Sequence, residues 1–355
     1  MTKNDKLGEP INELRDTGDT ETQNLLNSER QDTINTVQNI KDQSLRGYLE
    51  KLEKSGELLR IAKEVSPAEN MGAIQWKAYN ELNKATYFTN IAGYAEWTAC
   101  SQIFTDRRKW SIGLDLTEDE LLTAMSKKLK VPIAPSITSK LLSPCKEVIR
   151  KGKNASLLEL PVVTQSEKDG GPFIASGMAI LKDPDTGIRN MSIHRMQVYD
   201  SHHSGFILLP RQARLIHEKY KELGKNTPVV VVIGAHPAIF FSSAYTTRFD
   251  VDELSLAGGL LGEPVRLTKA ETVDIEVPAE AEIILEGELL LGKKIFEGPY
   301  GEVPGTYAEA EPAEVFRIST ITHRKKPIYY SLHSGMPSTC AQATTGLGIE
   351  IATME

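Results

Sequence analysis

Several protein classes are excluded by what this sequence does not contain. Among 355 residues there are only three cysteines, Cys100, Cys145 and Cys340. They are odd in number and widely spaced, so they supply neither a disulfide framework nor a CxxC metal knuckle. No apolar run reaches 18 residues, and the polar N-terminus has no apolar core, so neither a helical membrane span nor a secretory signal is expected. There is no lysine- or arginine-rich block, and 41 basic against 48 acidic residues leave a net charge of −7. That balance points away from nucleic acid and towards a small molecule as the main partner. A GxGxxG stretch of the nicotinamide-binding type is also missing. Residues 1 to 41 hold no aromatic side chain and are rich in Asn, Asp, Glu, Gln and Thr. So little apolar surface cannot offset the entropy of ordering, and a mobile tail is expected there. A reducing cytoplasm is the expected location.

What is present fits a globular chain. A hydrophobic content of 40% and a charged content of 25% suit a length sufficient for two domains. Leu45, Tyr48, Leu49 and Leu52 fall at helical spacing after Ser44, with Gly56 where a C-terminal cap belongs. Helical spacing also covers Met71 to Leu82, Leu116 to Lys130 and Gln212 to Leu223. Strands are expected at Glu57–Ile61, Tyr87–Ile91, Phe173–Lys182, Asn190–Val198 and Ile283–Leu291. Asp169-Gly170-Gly171-Pro172 reads as a tight turn, and Asp183 to Gly187 as a hairpin connection. Pro228 to Gly234 is an apolar run suited to a strand buried on both faces. Asp252-Glu253 opens a helix whose Gly258-Gly259 allows close packing. Helices alternating with strands favour an α/β core.

Two stretches carry candidate chemistry. In the strand from Asn190, alternation puts Asn190, Ser192 and His194 on one face and Met191, Ile193 and Arg195 on the other. A cation among apolar neighbours calls for a carboxylate partner. The second stretch is Phe296-Glu297-Gly298-Pro299-Tyr300-Gly301-Glu302-Val303-Pro304-Gly305, which reads as a loop rather than helix or regular strand. Carboxylates held close together repel, so one of Glu297 and Glu302 is expected to have a raised pKa and to serve as an acid. Spacing alone favours a solvated turn with two ordinary glutamates. Asn190, Gln212 and Glu253 lie on separate segments and could converge with Arg195, Glu297 and Glu302 if the strands are neighbours.

Together these residues form a pattern: Asn-x-x-x-x-Arg on a strand, Pro210-Arg211-Gln212 opening a helix about twenty residues later, Asp252-Glu253 before a small-residue helix, and Glu-Gly-Pro-Tyr-Gly-Glu. With it the chain resembles the UbiD-type carboxy-lyases, decarboxylases that use prenylated flavin mononucleotide (prFMN). The resemblance runs from roughly Gln43 to the last residue and takes in Asn90 to Gly93, the Asp169 turn and Ile233 to Pro237.

The resemblance implies a mixed α/β (α+β) fold: a UbiD-like N-terminal α/β region over residues 42–125 and a split β-barrel flavin-binding domain over 126–330. Residues 331–355 would begin a linker to the C-terminal domain that family members usually carry, so the chain is expected to be a truncated homologue, a fragment or one part of a split enzyme. It implies non-oxidative, reversible decarboxylation of an aromatic or α,β-unsaturated carboxylic acid, with prFMN, Mn2+ or Mg2+, and K+ as a further cation. A flavin prenyltransferase would supply the cofactor, and the full-length form would be a homo-oligomer. Asn190, Gln212 and Glu253 would be the metal ligands, and Ser192, Ile193, Arg195 and Arg211 would join them around the flavin. Arg195, Glu297 and Glu302 would be the catalytic set. Glu297 is expected to pair with Arg195, which should lower its pKa and make it a poor donor, leaving Glu302 as the general acid. Asn190 as a turn-end hydrogen bonder and Glu253 as an acid favoured at a helix N-terminus are the structural alternatives. Gln212 stands where the family usually has histidine, and an amide oxygen holds manganese less tightly than imidazole. A non-catalytic flavin-binding or assembly subunit is the alternative function.

Overall fold

Ser44 starts the first helix, α1 (Leu45–Lys54), by accepting a hydrogen bond from the Gly47 N–H at 3.1 Å, and the stripe of Leu45, Tyr48, Leu49 and Leu52 is buried beneath it. The computed structural model describes residues 41–335 and 339–354. The tail expected over residues 1–41 therefore lies outside the described residues, Lys41 excepted.

After α1 come β1 (Leu58–Ile61), α2 (Met71–Leu82), β2 (Ala85–Phe88), β3 (Thr98–Ser101), α3 (Arg107–Leu114) and α4 (Leu121–Leu129). Helix α2 has the bounds its periodicity predicts. The helix expected over Leu116 to Lys130 begins only at Leu121 and follows the separate helix α3. Asp115 adopts φ +55 at the end of α3, which breaks the helical path, and Thr117 and Glu120 bond each other in the turn ahead of α4. Strand β2 lies two to three residues earlier than expected, because Asn90 and Ile91 bond Val65 instead.

The next elements are β4 (Ser136–Ile137), β5 (Val148–Lys151), β6 (Phe173–Lys182), β7 (Arg189–Gln197), β8 (His203–Phe206), α5 (Gln212–Glu222), β9 (Thr227–Ile233), α6 (Pro237–Ala244) and α7 (Glu253–Leu261). They are followed by β10 (Arg266–Lys269), β11 (Glu276–Pro278), β12 (Ile283–Glu297), β13 (Tyr300–Gly301), β14 (Tyr307–Ala308), β15 (Glu311–His323), β16 (Ile328–Tyr330) and α8 (Cys340–Ala352). Mixed α/β architecture is thus what the chain adopts.

The large sheet is antiparallel throughout and runs β5-β15-β12-β9-β6-β7, with β8 also paired to β15. Because Val198, just past β7, bridges Ser204 in β8, the two ends of the sheet are brought round towards each other. Its centre is β9, where Val229 to Ile233 are fully buried, as a continuous apolar run requires. Each such side chain contributes roughly 1.5–3 kcal/mol by leaving water. The β6–β7 hairpin is fixed by Asp183, whose carboxylate accepts from the Asp185 N–H at 2.8 Å. A smaller sheet runs β1-β2-β3-β16, so β16, at the end of the segment expected as 126–330, returns to pair in parallel with β3.

Helix α7 packs closely because a Cβ at Gly258 or Gly259 would fall under 3.0 Å from the carbonyls of Ile133 or Lys128. Among the described residues no helix is long and apolar enough to cross a membrane.

Candidate active site

Strand β7 is the last on the hydrogen-bonded path of the large sheet, and a cavity of about 850 Å³ wraps round it. Residues from both faces of the strand, Asn190 to Arg195, therefore border one space, although alternation assigns them to opposite sides. Helices α5, α6, α7 and α8 and the β13–β14 hairpin complete the walls.

At one end the side chains of Asn190, Gln212 and Glu253 meet. Asn190 Nδ2 donates to Gln212 Oε1 at 2.7 Å and to Glu253 Oε1 at 2.9 Å, while the Met191 N–H donates to Glu253 Oε2 at 2.8 Å. Local sequence explains the placement: Asp252 caps α7 by accepting from the Leu254 N–H, which puts Glu253 in the first turn, and Gln212 is the first residue of α5. Glu253 is buried, and burial pushes its carboxyl up to about 7. Among the described residues no group of three His, Cys, Asp or Glu side chains is placed to hold a metal. The Asn190–Gln212–Glu253 set offers instead three side-chain oxygens once the Asn190 amide turns over, a hard donor set that suits Mn2+ or Mg2+. A cation there would also relieve the desolvated Glu253 carboxylate.

Beside this set, Arg211 is exposed, with Nη1 3.4 Å from Thr246 Oγ1, and the α5 N-terminus that follows has no side-chain cap. A helix start without a side-chain cap and a guanidinium beside it suit a phosphate. Ser192 Oγ lies 2.9 Å from His194 Nε2, and His194 Nδ1 lies 3.0 Å from the Ile207 carbonyl. The carbonyl fixes the proton on Nδ1, so Ser192 donates to Nε2. Burial lowers His194 to about 4, which keeps the imidazole neutral. Ile193 adds a half-buried apolar wall.

At the other end Arg195 gathers carboxylates. Its Nε lies 3.2 Å from Glu297 Oε1, Nη1 pairs with Glu302, and Nη2 lies 3.7 Å from Glu311 Oε1. The ring of Tyr300 lies under the guanidinium, 5.0 Å from Cζ. Three features differ from the sequence reading. Phe296 and Glu297 are the last residues of β12, and Tyr300-Gly301 forms a short strand with Tyr307-Ala308, so the stretch is only partly loop; Glu297 is kept in the sheet by pairing with Glu311. Glu302 pairs directly with Arg195, where the sequence reading took Glu297 as its main partner. Finally, Glu297 is not pushed down by its ion pair. Its side chain is 0% exposed, and desolvation outweighs Arg195 and raises the carboxyl to about 7.

That shift sets a sign for pH dependence. A carboxyl with a folded pKa near 7 and an unfolded one near 4.5 holds a proton in the native state that the unfolded chain has released. Stability from this group is full below pH 4.5 and falls as pH rises through 7, by on the order of 3 kcal/mol. Glu297→Gln should flatten that slope in chemical denaturation measured from pH 4.5 to 7.5, whatever it does to absolute stability.

The sequence reading did not name Glu311, and it named the Asp169 turn without assigning it the seating of the loop. Gln197 accepts from the Gly298 N–H at 2.8 Å and donates to the Gly170 carbonyl at 2.7 Å, and Asp169 accepts from the Gly301 N–H at 2.8 Å. Gln197 follows Arg195 by two on the same strand, a spacing that places it on the same face and could have drawn attention to it.

The sequence profile of the 3-octaprenyl-4-hydroxybenzoate carboxy-lyase Rift-related domain (UbiD) matches residues 137–337, and that of the N-terminal domain of the same carboxy-lyase matches residues 49–129. The chain belongs to the UbiD family. This UbiD chain is 30% identical over 312 residues to the phenolic acid decarboxylase of Bacillus subtilis, covering 84% of this chain and 65% of that protein. It is 30% identical over 310 residues to the phenolic acid decarboxylase of Sedimentibacter hydroxybenzoicus, covering 83% and 64%. It thus spans a little under two thirds of the length of these curated relatives. Among solved structures, an evolved dimeric form of the UbiD-class enzyme HmfF from Pelotomaculum thermopropionicum, in complex with prFMN, superposes with a TM-score of 0.83 at 35% identity, over 88% of this chain and 72% of that one. The vanillic acid decarboxylase of Sedimentibacter hydroxybenzoicus in its closed form gives a TM-score of 0.82 at 28% identity, over 86% and 67%.

Proposed function

We propose that this UbiD chain carries the prFMN site and the proton-transfer residues of a decarboxylase acting, without net oxidation, on an aromatic or α,β-unsaturated carboxylic acid. The observation that carries the reading is that Arg195 and Glu302 border the same cavity as the Asn190–Gln212–Glu253 oxygens, while Glu297 stands behind Arg195 and does not border it. One end of the cavity suits a metal and a flavin phosphate, and the other suits an organic acid. The relatives named as phenolic acid decarboxylases support the same class of substrate.

In this reading Asn190, Gln212 and Glu253 would hold a divalent cation, and Arg211 with the α5 N-terminus would neutralise the flavin phosphate. Ser192, Ile193 and Arg195 flank the ring. When bound, prFMN supplies the electron sink for the charge left as CO2 departs. Arg195 orients the substrate carboxylate, with Glu297 holding the guanidinium from behind and Tyr300 fixing its plane. Glu302 then delivers a proton from its carboxyl oxygen to the carbon that has lost CO2, and in the reverse direction removes it. A flavin prenyltransferase as cofactor source and a cytoplasmic setting belong to the same proposal.

Protein made together with a flavin prenyltransferase should carry a prenylated flavin by mass spectrometry and release CO2 from part of a panel of aryl and acrylic acids. Full activity with unmodified FMN alone would refute the cofactor assignment. A prenylated flavin held with no CO2 from any acid, even with the part of a curated relative that lies outside the matched span supplied, favours a non-catalytic flavin-binding subunit.

The ligand set makes a second expectation. Gln212 Nε2 donates to the Thr247 carbonyl at 2.9 Å, a bond that an imidazole N–H can keep while the other ring nitrogen faces the metal. Gln212→His should tighten manganese retention by about tenfold or more, the scale on which metal sites respond to changes around their ligands. Equal retention in a metal titration would mean that residue 212 does not ligate.

A further inference from the structure

The guanidinium of Arg195 carries five N–H donors in a rigid fork. Nε is turned to Glu297 at 3.2 Å, Nη1 is taken up by Glu302, and the face lies on Tyr300. What remains is the Nη2 amino group, whose charged neighbour is Glu311 Oε1 at 3.7 Å. That distance is an ion pair but not a hydrogen bond, so Nη2 keeps donors to give. Glu311 is the first residue of β15, sits opposite Glu297 in the ladder, borders the cavity with Arg195 and Glu302, and is 55% exposed. A pair this solvated is weak and exchanges readily for a better one. A substrate carboxylate docking on the fork bidentately would be a better one.

We propose that Glu311 is a carboxylate gate: it covers the Nη2 edge of Arg195 while the cavity is empty, and the substrate's carboxylate must displace it to bind. This rests on the reading of Arg195 as the substrate's anchor and adds a specificity-determining residue to it. Glu297, Glu302 and Glu311 already surround one guanidinium, so an incoming carboxylate that takes the Nη2 donors meets the charge of Glu311 at that edge and drives it out into solvent. Its β-strand origin and exposed side chain leave room for that movement. The gate acts on charge. An acid feels it, and a neutral analogue of the same shape does not.

The test uses the chain as it is, with benzoate and benzamide titrated calorimetrically against the parent and Glu311→Gln. Removing the competing charge should tighten benzoate by about three- to tenfold and leave benzamide unchanged. In the flavin-loaded protein the same substitution should lower KM for a turned-over acid by a similar factor with kcat nearly constant. Weaker benzoate binding by Glu311→Gln would show that Glu311 supports Arg195 instead, and overturns the gate. Equal gains for benzoate and benzamide would reduce the effect to cavity shape and overturn it too, as would benzoate binding that is absent in both proteins or does not change. Arg195→Met separates the two claims. Benzoate binding lost there but indifferent to Glu311→Gln sinks only the gate, whereas binding indifferent to both sinks the anchor.

Discussion

Glu302→Gln is expected to lower the decarboxylation rate by on the order of a hundredfold or more while flavin and substrate still bind. The sequence reading reached this substitution through pKa, holding that the ion pair with Arg195 would keep Glu297 charged and leave Glu302 as the acid. The structure removes that ground, because Glu297 is the fully buried member and is raised to about 7. Position gives a better one. A general acid must reach the atom it protonates before its pKa matters. Glu302 borders the cavity with its side chain 34% exposed, whereas Glu297 lies behind Arg195. On the proposed reading Glu297 is therefore a positioning residue, and the guanidinium between it and Glu302, which does not give up protons, separates it from the proton transfer. Glu297→Gln should keep the fold of the site but loosen Arg195, raising KM and lowering kcat together. Exchange of the product's vinylic or aryl hydrogen with deuterated water isolates the proton step from CO2 loss. Were Glu302→Gln to exchange as fast as the parent while Glu297→Gln did not, the two roles would have to be interchanged.

Much of the fold is legible in the sequence wherever a local period is strong. Helix α2, strand β6 and the buried strand β9 follow from helical spacing, β-branched content and an unbroken apolar run, and Asp252 and Ser44 announce their helices by capping chemistry. Elements whose form depends on distant partners are not legible in this way. The two-residue strand β13 exists because β14 lies opposite it, and β16 joins β3 across more than two hundred residues of chain. For the candidate site, the motif spacing does bring Asn190 to Gln212 and Glu253, and Arg195 to Glu297 and Glu302. Burial is what the spacing could not supply. Glu297 and Glu302 are five residues apart in one motif, yet the last residue of β12 is fully buried while the residue after β13 borders the cavity. Glu311 was equally hidden, since only the β12–β15 register sets it against Glu297.

The seat of this motif sets the other large expectation, that Gly170→Ala will damage stability and turnover together. Gly170 donates its N–H to the Pro299 carbonyl at 2.8 Å, accepts from Gln197 Nε2, and lies so close to the loop that an added Cβ would come under 3.0 Å from both the carbonyl oxygen and the carbon of Gly298. Those atoms are backbone, so no side chain can swing away, and the chain from Glu297 to Glu302 must shift. Overpacking of this kind costs about 1–3 kcal/mol. The shift also moves Gly298 off Gln197 and Gly301 off Asp169, and with them the carboxylate of Glu302 relative to Arg195. A displacement near 1 Å is enough to lower the rate by roughly a hundredfold, because proton transfer depends on near-contact geometry. Gly346→Ala is the matched control: it lies inside α8 with nothing within 4 Å of the added methyl, so helix propensity alone should stabilise it by roughly 0.5–1 kcal/mol. Chemical denaturation and CO2 release measured on both variants decide the matter. If Gly170→Ala matches the parent in both, the Asp169–Gly171 turn does not position the Glu297–Glu302 loop.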